Sequence, residues 1–306
     1  MKFLNAFLLI FLMGACDMVE REKATTSPVR GTKNPSNSFE DSIQGSEIID
    51  TSRQNIEFED SLMSEIEASI LDAENDYEYV DQLNLGSGVR INWLERHQGQ
   101  KLRDGELVLI EYRLGLPDGK IIDGNNKMKM PNLPFVVGYN MQNKGWDLAL
   151  SELCVGDMAK IEIPSRLAYG KKGLGTVIPP NTDNWLFIKI HGLVSADFEE
   201  RGIKYWELRS GENKETSKRK IKFHMIASTK NKANIFNTYA SNFPLTYTPG
   251  QKNYPKGLQQ VLKKAKKGQQ LFLILEPNMA YGDNGYLDLV GPNEEVFYNL
   301  KIIDVE

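Results

Sequence analysis

From about residue 85 onward the apolar positions alternate or cluster over short stretches, the spacing of strands rather than helices. "ELVLIEYRL" (106–114) and "LFIKIHGL" (186–193) mix β-branched and alternating apolar residues, as strands of an antiparallel sheet do. "PDG" at 117–119 is a turn signal between two such runs. In the later strand Lys189 and His191 are expected to face water, which points Leu186, Ile188 and Ile190 inward. One stretch has a different period: in "NKGWDLALSEL" (143–153), Trp146, Leu148, Leu150 and Leu153 recur as on a helix. Upstream, Leu62, Ile66 and Ile70 recur every four residues beside Met63 and Leu71. That stripe predicts a short helix with Asp60 or Ser61 as its N-cap, packed on the domain that follows rather than paired with a second copy.

Residues 17–59 have no such pattern. They are rich in Ser, Thr, Asn, Glu and Lys, and the apolar content is too small to repay the entropy of ordering, so a flexible tether is expected. Ahead of them, Lys2 supplies a positive charge, Phe3 to Leu12 a short apolar core, and "LMGAC" small residues at its end. That is the order of an export signal, and no apolar run reaches the roughly 18 residues of a membrane span. Gly14-Ala15-Cys16 resembles the lipobox of bacterial lipoproteins, in which the Cys becomes the lipidated first residue of the mature chain. The resemblance implies export, a lipid anchor at Cys16 and attachment to an envelope membrane, facing the periplasm or the surface. With Cys16 consumed, Cys154 is alone, no intramolecular disulfide forms, and "SELCVGDMA" suggests a small core residue. The 306 residues are 41% hydrophobic and 25% charged, enough for two domains, and the net charge of −4 makes nucleic acid a poor partner.

The downstream text repeats itself. "GVRINWL" from Gly88 returns as "GIKYWEL" from Gly202, an offset of 114. The stretch from Pro134 to Gly170 returns from Thr246 at an offset of 112, matching Gly138, Gly145, Gly156, Ala168, Tyr169, Gly170 and Pro180 to Gly250, Gly257, Gly268, Ala280, Tyr281, Gly282 and Pro292. The second copy is expected to lack two residues between Asp123 and Phe135. The chain therefore divides into a signal peptide (1–15), a tether (16–59), a short helix and lead-in (60–82), and two copies of one domain (83–196 and 200–306).

The first copy resembles a peptidyl-prolyl cis-trans isomerase of the FKBP type. The likeness runs through "SGVRINWLERHQGQKLRDGELVLIEY", "DGKIID", "PFVVG", "KGWDLAL", "VGDMAKIEIPSRLAYG" and "VIPPNT", in the family's order and spacing. It implies an α+β fold: in each copy, an antiparallel half-barrel of about five strands wrapped around one short helix, with an apolar cleft between them. It also implies isomerisation of Xaa-Pro bonds in polypeptides, with no metal or organic cofactor.

By the same resemblance, Tyr169, Asp123 and Trp146 are the catalytic candidates. Trp146 floors the pocket, Tyr169 donates its hydroxyl to a substrate carbonyl, and Asp123 faces the twisting amide. Tyr112, Ile122, Leu133, Phe135 and Ile178 are expected to line the pocket. Gln142 and Asn143 replace the family's usual Val-Ile, so that wall is thinner, while Asn143 keeps the backbone N–H. Either Phe187 or Ile188 completes the last strand, depending on a one-residue bulge. In the second copy Leu258, Asn237 and Ile226 are expected at the places of Trp146, Asp123 and Tyr112, with Tyr281 retained. That pattern implies the same fold without useful activity. "KKAKK" (263–267) is expected on its helix as a solvated face. The leading reading is an exported, membrane-anchored isomerase assisting the folding of envelope or secreted proteins. A non-catalytic peptide-binding or chaperone-like lipoprotein, or an assembly factor of an envelope complex, is the alternative; related lipoproteins of gliding Bacteroidota make motility one such setting.

Overall fold

The computed structural model describes residues 78–125, 131–212 and 220–306. Cys16, the tether and the helix expected from Asp60 lie outside the described residues.

The first domain carries β1 (Asp81–Asn84), β2 (Arg90–Glu95), β3 (Leu107–Gly115), β4 (Ile121–Gly124), β5 (Leu133–Val136), helix α1 (Lys144–Leu150), β6 (Met158–Ile163) and β7 (Asn184–Val194). Its seven strands form one sheet in the order β1-β2-β6-β7-β3-β4, with β5 also on β3. Every pairing is antiparallel. The sheet exceeds the expected five because the lead-in adds β1, and the stretch after the 117–119 turn supplies two short strands. Alternation along β3 and β7 sets Ile110 opposite Ile190, Tyr112 opposite Ile188 and Leu114 opposite Leu186, and all six side chains join the buried core.

The helix is only seven residues long, so its placement depends on its ends and on close packing. Asn143 caps it, its Oδ1 accepting from the Trp146 amide at 3.2 Å. Gly145 lets it settle on β6, since a Cβ there would lie 2.2 Å from Ile163 Cγ2. Trp146, Ala149 and Leu150 then face the core.

A bulge does occur in β7, but at His191, between the Leu109–Gly192 and Ile110–Ile190 pairs. Alternation through 186–190 is untouched, so Ile188 faces the helix. Phe187 lies on the outer face, 5.9 Å from the Lys160 ammonium, and is no part of the pocket. Lys189 shares the outer face but is not in water: flanked in register by Glu111 and Met158, it is buried. Cys154 is half-buried rather than core, its thiol pushed up by burial and by Asp157, while neighbouring Leu153 fills the core.

The second domain repeats the architecture with β8 (Phe198–Glu200), β9 (Ile203–Arg209), β10 (Ile221–Ser228), β11 (Phe236–Asn237), β12 (Leu245–Tyr247), α2 (Lys256–Lys263), β13 (Gln270–Leu275) and β14 (Val296–Val305). The order β8-β9-β13-β14-β10-β11, with β12 on β10, is the first sheet strand for strand. Register corrects the sequence alignment. Ile110 opposite Ile190 corresponds to Phe223 opposite Ile302, an offset of 113 in the first strand and 112 in the last. One residue is therefore lost between β9 and β10 and another between β11 and β12. Met225, not Ile226, stands at the place of Tyr112, and Phe236, not Asn237, at that of Asp123. Asn125 and Thr238 confirm this register: their side-chain oxygens accept from the amides of Tyr112 at 2.8 Å and Met225 at 2.9 Å. Of "KKAKK", only Lys263 is helical; Ala265 is buried and Lys267 pairs with Asp304 at 3.0 Å.

The domains meet through the outer face of the second sheet. Strand β13 is buried along its whole length. Trp206, Phe272, Ile274 and Phe297 form a third apolar cluster with Leu107, Val136 and Tyr139 of the first domain. Around it Tyr139 donates to Glu295 at 2.8 Å, Ser228 to the Tyr139 carbonyl at 2.6 Å, and Trp206 to the Val194 carbonyl at 3.0 Å.

Candidate active site

The floor of the site is aromatic and comes from three elements. Trp146 on α1 is stacked on Phe135 of β5 at 5.6 Å and meets Tyr112 of β3 edge-on at 5.3 Å. None of the three exceeds 4% exposure. Leu133 and Ile188 belong to the same cluster. The adjacent turn is held from beneath by Asp147, whose carboxylate accepts from the Gly138 and Asn140 amides at 3.0 and 2.6 Å; burial pushes its pKa up to about 6.

Polar groups converge at one edge. The Tyr112 hydroxyl donates to Asp123 Oδ2 at 2.7 Å. Asp123 sits on short β4, and Asn125 secures that strand's exit by donating to the Ile110 carbonyl at 3.0 Å while accepting from Tyr112. Tyr169 lies between two 3-10 turns (Ser165–Leu167 and Gly170–Lys172), half-buried. Burial first, and then the negative charge of Asp123, push its hydroxyl up to about 12. The same causes hold Tyr112 still further above the usual phenol. Both hydroxyls are therefore protonated, and therefore donors, at any physiological pH.

The rim is the 173–180 loop. Ile178, fully buried, exchanges backbone hydrogen bonds with Leu174 at 2.8 and 3.2 Å. Gly173 permits this reversal: its φ is +60°, and a Cβ would stand 2.3 Å from the Ile178 carbonyl oxygen. Ile122 is half-buried beside Asp123, and Gln142 half-buried before the helix. Asn143 spends its oxygen on the helix cap. Its buried Nδ2, like the buried Trp146 Nε1, has no hydrogen-bond partner among the described residues. An unmet buried donor of this kind costs about 1–3 kcal/mol.

The second domain has the frame without this constellation. Leu258 replaces Trp146, and Tyr254, at the place of Gln142, turns in against Tyr247 at 5.8 Å and Phe223 at 5.9 Å. Tyr281 is stacked on Tyr286 at 4.8 Å, and Phe236 is 43% exposed where Asp123 is 8%. Sequence reasoning missed Asn125, although "DGNN" announces an Asn-rich turn after a short strand. It also missed that residues 229–234 of the second domain stand beside Gln142 and Asn143; no pattern in either segment points to the other.

The family model for FKBP-type peptidyl-prolyl cis-trans isomerase matches residues 98–191 and again 211–303, together more than half of the chain. Human peptidyl-prolyl cis-trans isomerase FKBP10 is 29% identical over 231 residues, which are 74% of this chain and 39% of that protein. FK506-binding protein 2 of Yarrowia lipolytica is 40% identical over 83 residues, 27% of this chain and 57% of that one. Peptidyl-prolyl cis-trans isomerase FPR2 of Saccharomyces cerevisiae is 37% identical over 97 residues, 31% of this chain and 71% of that one. The chain thus spans about two fifths of the length of the human relative it matches.

Proposed function

The chain belongs to the FKBP-type peptidyl-prolyl cis-trans isomerase family, and from that premise we propose that its first domain isomerises Xaa-Pro bonds in polypeptides. The observation that carries this reading is the enclosed floor of Tyr112, Phe135 and Trp146 with the Tyr169 and Asp123 polar edge beside it. The bond turns over a barrier of about 18–20 kcal/mol, and no bond breaks. The twisted amide has lost its resonance and is less polar than the planar one, so an apolar cleft that strips water from the carbonyl favours it. Trp146 and Phe135 grip the proline ring. Tyr169, held protonated, donates to a carbonyl next to the bond, and Asp123 with its Tyr112 donor sits against the rotating amide. The test is catalysis of cis-trans exchange in an Xaa-Pro peptide by the purified chain. Activity unchanged on replacing Tyr169 and Asp123 together would sink the assignment.

The chain is further read as a bacterial lipoprotein, exported by its first 15 residues, held to an envelope membrane by lipid on Cys16, and acting there on folding clients. Support is the Lys2, apolar core and "LMGAC" order. Cys16→Ala is expected to move the protein from the membrane fraction to the soluble one; full retention in membranes overturns the anchor. The second domain is read as a degenerate copy without useful isomerase activity, because Leu258, Tyr254 and Phe236 occupy the pocket positions. A non-catalytic peptide clamp is the competing reading, favoured by Gln142 and Asn143 in place of an apolar wall. Binding of proline peptides with no exchange would select it.

A further inference from the structure

A groove of about 760 Å³ opens between the rim of the candidate site and the second domain. Gln142, Asn143 and Tyr169 form its inner side, and Lys230, Asn231, Ala233 and Asn234 its outer one. The outer wall is firmly built. Asn140 Nδ2 donates to the carbonyls of Thr229 and Lys230 at 2.9 and 3.0 Å, and Lys144 to the latter at 3.2 Å. The second domain braces the same loop, Asn231 Nδ2 donating to Glu294 at 2.8 Å and Lys232 to the Asp288 carbonyl at 2.9 Å.

The charge of this groove runs against that of the chain. Lys144, Arg166, Lys172 and Lys230 line it, and among the described residues no carboxylate does, although the whole molecule carries −4. Lys230 is engaged, with Glu295 at 2.9 Å and Asp104 at 3.8 Å, and Lys144 donates to the Lys230 carbonyl at 3.2 Å while its charge also acts on buried Asp147. The buried, unpartnered Asn143 Nδ2 belongs to the same lining.

We propose that this groove binds the polypeptide beside the proline and selects chains with acidic residues there, the second domain supplying one wall of the first domain's substrate site. This rests on the isomerase reading for its substrate, a proline-containing chain. Lys144, Arg166 and Lys172, with no carboxylate in the lining, favour Asp or Glu side chains, and Asn143 Nδ2 gives a backbone carbonyl its donor. The second domain then has a task that needs no pocket of its own.

The full chain is tested with two fluorescent Xaa-Pro peptides alike except for Glu or Lys residues flanking the proline, measuring both binding and cis-trans exchange. The acidic peptide should bind about fivefold or more tightly at low salt, the preference fading as salt screens it. Ala233→Asp with Asn234→Asp alters only the second domain, and Asn234 (φ +50°) is a position Asp tolerates. This pair should erase or reverse the preference, the acidic peptide losing about fivefold or more in binding relative to the lysine-flanked one at low salt. Equal binding of the two peptides, or a preference untouched by the double variant, overturns the groove. Acidic-selective binding that the double variant abolishes, but without exchange on any peptide, upholds the groove and removes the isomerase reading.

Discussion

The two domains share strand order, a tightly seated helix and a Tyr-Gly turn, yet they differ in what each sheet face carries. In the first, the inner face holds the aromatic floor and the outer face mixes Asn92, Lys160 and Glu162 with Trp185 and Phe187, the Lys160 ammonium lying 3.7 Å from the Trp185 ring. In the second, the corresponding outer positions are Trp206, Phe272, Ile274 and Phe297, all buried, and the inner pocket is filled by its own Tyr254. One copy keeps an aromatic floor and charged side chains on its back; the other fills its own site and has an apolar, dry back. The frame therefore does not decide function, which follows from a handful of positions on either face.

The sharpest way to break the contrast is at the dry back. Phe272→Ala is expected to cost about 3–5 kcal/mol, because it hollows the cluster joining the domains. Lys160→Ala, the same position in the first domain, should cost less, about 2 kcal/mol for its buried cation–π contact. Denaturant unfolding of both variants reads the difference, and equal losses would mean the faces are not distinct. Next comes the floor: Trp146→Leu makes the first pocket resemble the second and should lower kcat/KM for an Xaa-Pro peptide at least about tenfold. Leu258→Trp should create no activity, since Tyr254 already occupies the space. The shared turn should respond asymmetrically. Tyr169→Phe loses one hydrogen-bond donor and about three- to tenfold in kcat/KM, whereas Tyr281→Phe leaves the rate unchanged.

The smallest effect concerns pH. The Tyr169 proton is held more tightly in the fold than in the unfolded chain. Its contribution is thus full below the ordinary tyrosine value near 10 and is lost as pH rises through about 12. Exchange rates should show no tyrosine titration between about pH 7 and 10. A falling rate with a midpoint in that window would show that the hydroxyl is not buried beside Asp123.

Much of this was legible in the residues because periodicity reports burial directly. The strands around "ELVLIEYRL" and "LFIKIHGL", the helix after Asn143 and the doubling of the domain all follow from spacing. The choice between Phe187 and Ile188 was not legible, because it depended on where the bulge fell, and a bulge at His191 leaves no mark in composition. The pairing of Tyr112 with Met225 was hidden for a similar reason: two single-residue losses in different loops read in sequence as one gap. The domain contact did leave a trace. "QLFLIL" lacks the alternation of "MAKIEI", the mark of a strand covered on both faces. What no pattern could supply is proximity, as between Asn140 and the 229–234 loop, which depends on how two finished sheets dock.

The dry back of the second sheet also bears on the synthesis of the chain. A free-standing copy can live with Lys160 and Glu162 outward, but one with Phe272 and Ile274 in their places needs a neighbour's surface from the moment it folds. The first domain leaves the ribosome earlier and is there as a platform when the second arrives. A second domain made without the first would present that face to water as an adhesive sheet, prone to clump before it could serve.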